Sequence, residues 1–325
     1  MNTLSTPSTT FRAMGSQINV WLDADEAAAE EAFANVKNLF NENEQALSRF
    51  LPDSELSYLN GRTGQWTTVS PLMWHMLQEA LIWADATGGL FDPTLLNALE
   101  AAGYTRSFEE LPVLHKDGRF STVQWFPKQK NNWTHIKMDA ERQAVWLPEE
   151  TRIDLGGIAK GITAEQAAAR LSQWGPCLVD AGGDLTAGNA PKGFPGWPVA
   201  LSRPWSAEKP HEETTATMWA TMWLANATLA TSGIDYRRWQ VNGRLAHHLI
   251  DPRTGQPAQT DLLTVTILAS KAAAAEAWAT AILLLGSKTG YTILNEHPHL
   301  NGVLITENET VFLTHDMAQL TGQLG

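Results

Sequence analysis

The stretch TRIDLGGIAKGITAEQAAARL, Thr151 to Leu171, constrains this chain more than any other. It opens like a short apolar strand, breaks at Gly156-Gly157, and passes Lys160-Gly161 into an alanine-rich helix. Glycines let backbone N–H groups turn toward a ligand, and a helix N-terminus carries partial positive charge. With a lysine alongside, the arrangement suits phosphate. The spacing is neither the GxGxxG pattern nor the GxxxxGK[ST] phosphate loop, because no serine or threonine follows the lysine. Two readings therefore fit the stretch, a phosphate cradle or an ordinary tight strand-to-helix turn. Other segments must decide.

A chain of 325 residues can bury a large core, as one α+β domain or two smaller lobes. Its 23 basic and 35 acidic residues give a formal charge of −12, with no basic block. That argues against partners such as a nucleic-acid backbone or an anionic membrane surface. An anionic small ligand would need cations placed locally. The N-terminal MNTLSTPSTTFRAMGS has no apolar h-region, and no later run approaches the roughly 20 apolar residues of a membrane span. Membrane insertion is not expected, and the expected location is cytoplasmic. The single cysteine, Cys177, excludes an intrachain disulfide and a cysteine-based zinc site, and its apolar surroundings predict burial. Most of the 14 tryptophans must serve as packing bulk.

Residues 1–10 read as a disordered N-terminus and 11–325 as a single domain. Ser16 to Asp23 alternates like a half-buried strand, and a long amphipathic helix follows, with Phe33, Val36 and Phe40 at helical spacing as far as Leu47. The clearest helix runs from Ser70 to Gly89. Ser70 caps it, Pro71 suits its first turn, Gly88-Gly89 end it, and Met73, Leu77, Leu81 and Ala84 form its core stripe. Phe120 to Leu147 reads as short strands and turns, with Trp125 among its aromatics, and Glu212 to Thr217 is polar enough to be mobile. CLVDAGGDLTAGN reads as strand, glycine turn and strand, and a helix from Lys271 to Leu285 ends at Gly286.

That last helix carries two polar side chains, Glu276 and Thr280, among alanines and leucines. Four residues apart, they share a face. They can offer hard oxygen ligands to magnesium, or be a glutamate at a helix edge and a threonine bonded back to its own backbone. HHLIDPRTGQP combines two histidines with a strong turn signal, and only one of the pair can face a given cleft. Neither a GxSxG elbow nor an HExxH pair is present, so nothing supports a serine hydrolase or a zinc protease.

AMGS, LSRFLPDSELSYLN, TGGLFDPT, IDLGGIAKG, VDAGGDL, GWPVALSRP, ATSGIDYRRW, HHLIDPRTGQP and AEAWATAILLLG follow one another in the chain. In that order they resemble the FAD:protein FMN transferases, or ApbE-like flavin transferases, from about Phe11 to Gly290. The resemblance implies an α+β fold of mixed or antiparallel sheets with packed helices, a flavin cleft between lobes, and magnesium beside the FAD pyrophosphate. It places Met14, Phe50, Leu90, Phe91, Asp92, Asp154, Lys160 and Ile250 at FAD. It makes His248 a candidate proton acceptor, and it puts the metal at the Gly157 carbonyl, Glu276, Ala279 and Thr280. Glu276 stands where the family usually has aspartate, which keeps the charge on an arm one methylene longer. The implied reaction is magnesium-dependent transfer of FMN from FAD to a threonine or serine hydroxyl of a flavin-accepting redox protein, releasing AMP. A magnesium-dependent FAD pyrophosphatase and a non-catalytic FAD carrier are the alternatives.

Overall fold

The computed structural model describes residues 6–107, 132–202, 204, 218–235, 238–241 and 244–321. Its centre is an eight-stranded sheet: β1 (Ser8–Ala13), β2 (Ser16–Leu22), β3 (Cys177–Ala181), β4 (Asp184–Ala187), β5 (Ala227–Gly233), β6 (Leu262–Ala269), β7 (Asn301–Thr306) and β8 (Val311–Leu313). Spatial order follows chain order, and every neighbouring pair is antiparallel. The sheet is thus a meander into which long excursions have been inserted. The largest, between β2 and β3, carries α1 (Glu26–Leu47), α2 (Glu55–Asn60), α3 (Pro71–Ala86), α4 (Leu96–Ala101) and α5 (Ala159–Leu171). Between β6 and β7 lies α6 (Ala272–Glu296), and α7 (His315–Leu320) follows β8.

The alternation of SQINVWL appears as buried Ile18, Val20 and Leu22 in β2. They pack with Val36 and Phe40 of α1 and with Ala164, Ala167 and Ala168 of α5. Farther along the same sheet, Val265 and Ile267 of β6 bury against Trp278, Ile282 and Leu283 of α6. A second core contains Leu178, Leu229, Val303 and Ile305, covered by the hairpin Trp197–Ser202 and Met218–Leu224 and by Met317 of α7. Outside α5 and α6, α3 adds another layer, in which Met73, Met76 and Leu77 reach Ile158, Ile162 and Ala273. No helix among the described residues is long and apolar enough to cross a membrane.

Several expectations need correction. Disorder through residue 10 is overturned from Ser8 onward, because β1 pairs with β2 over six residues. Their two-residue turn, Met14-Gly15, has φ of 51° and 65°, the left-handed pair a tight hairpin requires. Thr151 to Leu155 forms no strand. Asn60 replaces a neighbouring strand there, donating to Ile153 O and accepting from Ile153 N, both at 2.8 Å. Ser70 does cap α3, accepting from Met73 N at 3.1 Å, but the buried stripe is Met73, Met76, Leu77, Ala80 and Ala84, with Leu81 half-buried. Gly286 breaks α6 rather than ending it, with φ 78° and ψ 172°, and helix resumes beyond. Trp125, residues 120–131 and residues 212–217 lie outside the described residues.

Candidate active site

A cleft of about 1290 Å³ gathers segments that the sequence scatters from Met14 to Thr280. Met14, Phe50, Leu90, Phe91, Asp92, Asp154, Gly157, Lys160, His248, Ile250, Glu276 and Thr280 all line it. Ala279 does not. It is packed fully inside the apolar cluster between α6 and the sheet, and its methyl offers no oxygen.

The glycine stretch makes room. Gly156 and Gly157 are absent from the positive-φ positions, so turn strain does not explain them. A Cβ on Gly156 would stand 2.8 Å from Asp154 Oδ1, and one on Gly157 3.3 Å from Phe91 Cε2. Gly156 N–H donates to that same Asp154 oxygen at 2.5 Å. One turn later, a Cβ on Gly161 would meet Glu276 Oε2 at 2.5 Å, so this glycine lets α5 and α6 cross closely. No side chain caps α5, and both Gly157 just before it and Lys160 in its first turn line the cleft.

Charge is concentrated where α5, α6 and β4 meet. Lys160 Nζ lies 2.5 Å from Asp184 Oδ2 and 3.8 Å from Glu276 Oε1. Asp184 Oδ1 accepts from Thr231 N–H at 3.0 Å. Burial pushes the Glu276 carboxyl up to about 8; Lys160 opposes the rise, Asp184 adds to it, and Gly161 N–H opposes it. Glu276 Oε2 is buried with no hydrogen-bond partner. Thr280 is not folded back on its own helix: its hydroxyl lies 3.0 Å from that of Ser232. Asp92 is another buried carboxylate, raised by burial against the opposing bonds from Thr94. Its Oδ1 accepts from Thr94 N at 2.7 Å and Thr94 Oγ1 at 2.5 Å, and its Oδ2 is buried without a partner.

Another part of the wall is aromatic. Arg49 Nε pairs with Asp154 Oδ2 at 2.5 Å, and its guanidinium carbon lies 4.1 Å from the Phe50 ring centre and 4.7 Å from that of Tyr104. Tyr104 stacks on Trp239 at 5.4 Å and meets His248 edge-on at 6.4 Å. The two histidines divide as their spacing requires. His247 is buried with Nε2 3.0 Å from Ala258 O, whereas His248 reaches the cleft.

A divalent cation fits this donor set. Among the described residues no three His, Cys, Asp or Glu side chains group to hold a metal by themselves. Magnesium does not require that, since it commonly keeps several waters and takes one or two carboxylates plus substrate phosphate. The unpartnered Glu276 Oε2, the Thr280 hydroxyl and the Gly157 carbonyl are hard oxygens suited to it.

The sequence model of the ApbE family matches residues 14–304. The chain belongs to the ApbE family. Among similar ApbE proteins, the FAD:protein FMN transferase of Treponema pallidum is 27% identical over 91% of this chain and 82% of its own length. That of Chlamydia trachomatis is 28% identical over 89% of this chain and 88% of its own. The crystal structure of the ApbE protein from Thermotoga maritima superposes with a TM-score of 0.82, at 21% identity over 98% of this chain and 99% of that one. The apo flavinyl transferase ApbE of Pseudomonas stutzeri gives 0.79 at 19% identity, covering 98% and 97%. The fold is therefore the ApbE fold, α+β as expected.

Motif reading missed Arg49, Asp184, Tyr104 and Ser232. Arg49 precedes Phe50, but its value depends on Asp154, far along the chain. Asp184 lay in the DAGGD turn, which gave no sign that its carboxylate meets Lys160. Ser232 sits in the ATSGIDYRRW segment with nothing to mark it as the partner of Thr280, and Tyr104 belongs to no motif.

Proposed function

We propose that this chain is a FAD:protein FMN transferase that moves FMN from FAD to a threonine or serine hydroxyl of a flavin-accepting redox protein. AMP is released and magnesium is required. One observation carries the reading: a single cleft joins an arginine-backed aromatic wall to a cluster of hard oxygen donors. A flat ring system suits the first and a pyrophosphate with its cation the second. The names of the T. pallidum and C. trachomatis relatives support it.

In this reading Phe50 and Tyr104 hold the isoalloxazine, while Met14, Leu90 and Ile250 exclude water around it. Glu276, Thr280 and the Gly157 carbonyl hold magnesium, which would polarise the pyrophosphate and neutralise charge developing on the leaving phosphate. Lys160 screens the same phosphates. His248 takes the proton as the acceptor oxygen bonds to the FMN phosphorus and the phosphorus–oxygen bond to AMP breaks.

Incubation with FAD, magnesium and a candidate acceptor is the test, read as AMP release and as a mass gain of one FMN on the acceptor. Glu276→Ala should abolish both, and Glu276→Asp should retain them. Intact FAD would make the chain a carrier. Free FMN and AMP without modified acceptor would make it a pyrophosphatase.

A further inference from the structure

We propose that Asp184 is a positioning residue that holds the Lys160 ammonium at the edge of ion-pair range from Glu276 and so leaves that carboxylate open to a divalent cation. The inference rests on the metal-dependent reading above. Lys160 Nζ is 2.5 Å from Asp184 Oδ2 but 3.8 Å from Glu276 Oε1. Asp184 is held in place, because its Oδ1 accepts Thr231 N–H at 3.0 Å and it is buried. Glu276 Oε2 has no hydrogen-bond partner, and its carboxyl packs where a side chain on Gly161 would stand, at the cleft wall.

An ammonium and a dication both neutralise Glu276, and they repel each other at short range where water is scarce. A lysine head on a four-carbon stem moves to the best local anion. Here Asp184 is that anion. Without its charge Glu276, already within ion-pair range, becomes the stronger attraction, and one small rotation would close the pair. The metal would then have to break a charge-assisted bond before binding. Asp184 thus governs metal affinity through Lys160, without itself serving as a ligand.

The experiment titrates the FAD-free protein with Mn²⁺, a paramagnetic stand-in for magnesium, and reads free ion by electron paramagnetic resonance at one fixed pH. Asp184→Asn keeps an acceptor for Thr231 N–H and should raise the Mn²⁺ Kd about tenfold, the scale of one charge-assisted hydrogen bond. Adding Lys160→Met to it should restore wild-type affinity. Lys160→Met alone should bind Mn²⁺ more tightly than wild type, which gives a second readout if Asp184→Asn folds poorly. Unchanged affinity in Asp184→Asn overturns the inference. So does a double variant that stays weak, because Asp184 would then act on the metal directly, and so does weaker binding in Lys160→Met. A Glu276→Gln control separates the two readings. If wild-type Mn²⁺ binding is absent or ignores Glu276, the metal-dependent reading falls together with this one; if it needs Glu276 but ignores Asp184, only this one falls.

Discussion

Glu276 shows what burying a carboxylate costs a fold. A carboxylate moved out of water prefers its proton, so burial raises this one from 4.5 to about 8 despite Lys160. Between those values the unfolded chain has released a proton that the folded chain keeps. This group's contribution to stability is therefore fully present below about 4.5 and lost as pH rises through about 8. With metal chelated, thermal melts across that window should find Glu276→Gln increasingly more stable than wild type as pH rises. A difference that is flat with pH would mean the glutamate is solvated. Arg49 presents the opposite case, an always-charged group 6% exposed and paired with Asp154. Arg49→Leu strands the Asp154 carboxylate and should cost about 3–5 kcal/mol by denaturant titration. Removing both charges in Arg49→Leu/Asp154→Leu should cost less than the single change.

At the scale of elements, α6 is two helices joined across a kink at Gly286, with loops bonded to both sides of the break. Arg253, gripped by Asp251, donates to Leu284 O at 2.8 Å just before the break. Beyond Gly286, Asp261 accepts from Ser287 N at 2.8 Å and Ser287 Oγ at 2.5 Å, which caps the second helix. Partial burial works against the ionised Asp261, but the two Ser287 bonds outweigh it and hold its pKa below the ordinary 3.8. Asp261→Ala should cost about 1–2 kcal/mol near neutral pH, a typical loss for a helix cap. A depressed value means stability present above 3.8 and lost as pH falls through the lowered one, so the penalty should shrink in acid. Denaturant melts at two pH values check both parts. A glycine after an alanine–leucine run reads as a stop, and it is one locally. The helix resumes because a distant aspartate supplies the cap, which no local pattern announces.

Across the whole molecule, the antiparallel meander brings the cleft together. Each strand end delivers a different excursion to the same place: the Met14 turn after β1, Asp184 at the start of β4, Ser232 at the end of β5. With a formal charge of −12, an anionic ligand would have to be met by cations placed locally, as Lys160 is in the cleft. FAD should therefore bind more tightly than riboflavin, and Lys160→Ala should remove about 1.5–3 kcal/mol of that affinity, the size of a charge-assisted bond. Fluorescence quenching measures both. Equal affinity for FAD and riboflavin would remove the pyrophosphate from the argument.

Taken alone, the sequence determined whatever depends on near neighbours in the chain. Alternation in SQINVWL, the Ser70 cap and the Gly182-Gly183 turn are settled within a few residues, whereas the grouping of Met14, Phe50, Asp154, Lys160, His248 and Glu276 was implied only by the family resemblance. Which of two adjacent histidines faces the cleft, that Thr280 meets Ser232, and that Ala279 turns into the core were decided by packing. So was the meaning of the two glycines at 156 and 157, which clear space for Asp154 and Phe91. Pairings such as Lys160 with Asp184, Asn60 with Ile153 and Arg49 with Asp154 join residues that share no periodicity. Their geometry exists only once the core has closed, because burial sets both the distance between such groups and the strength of their attraction.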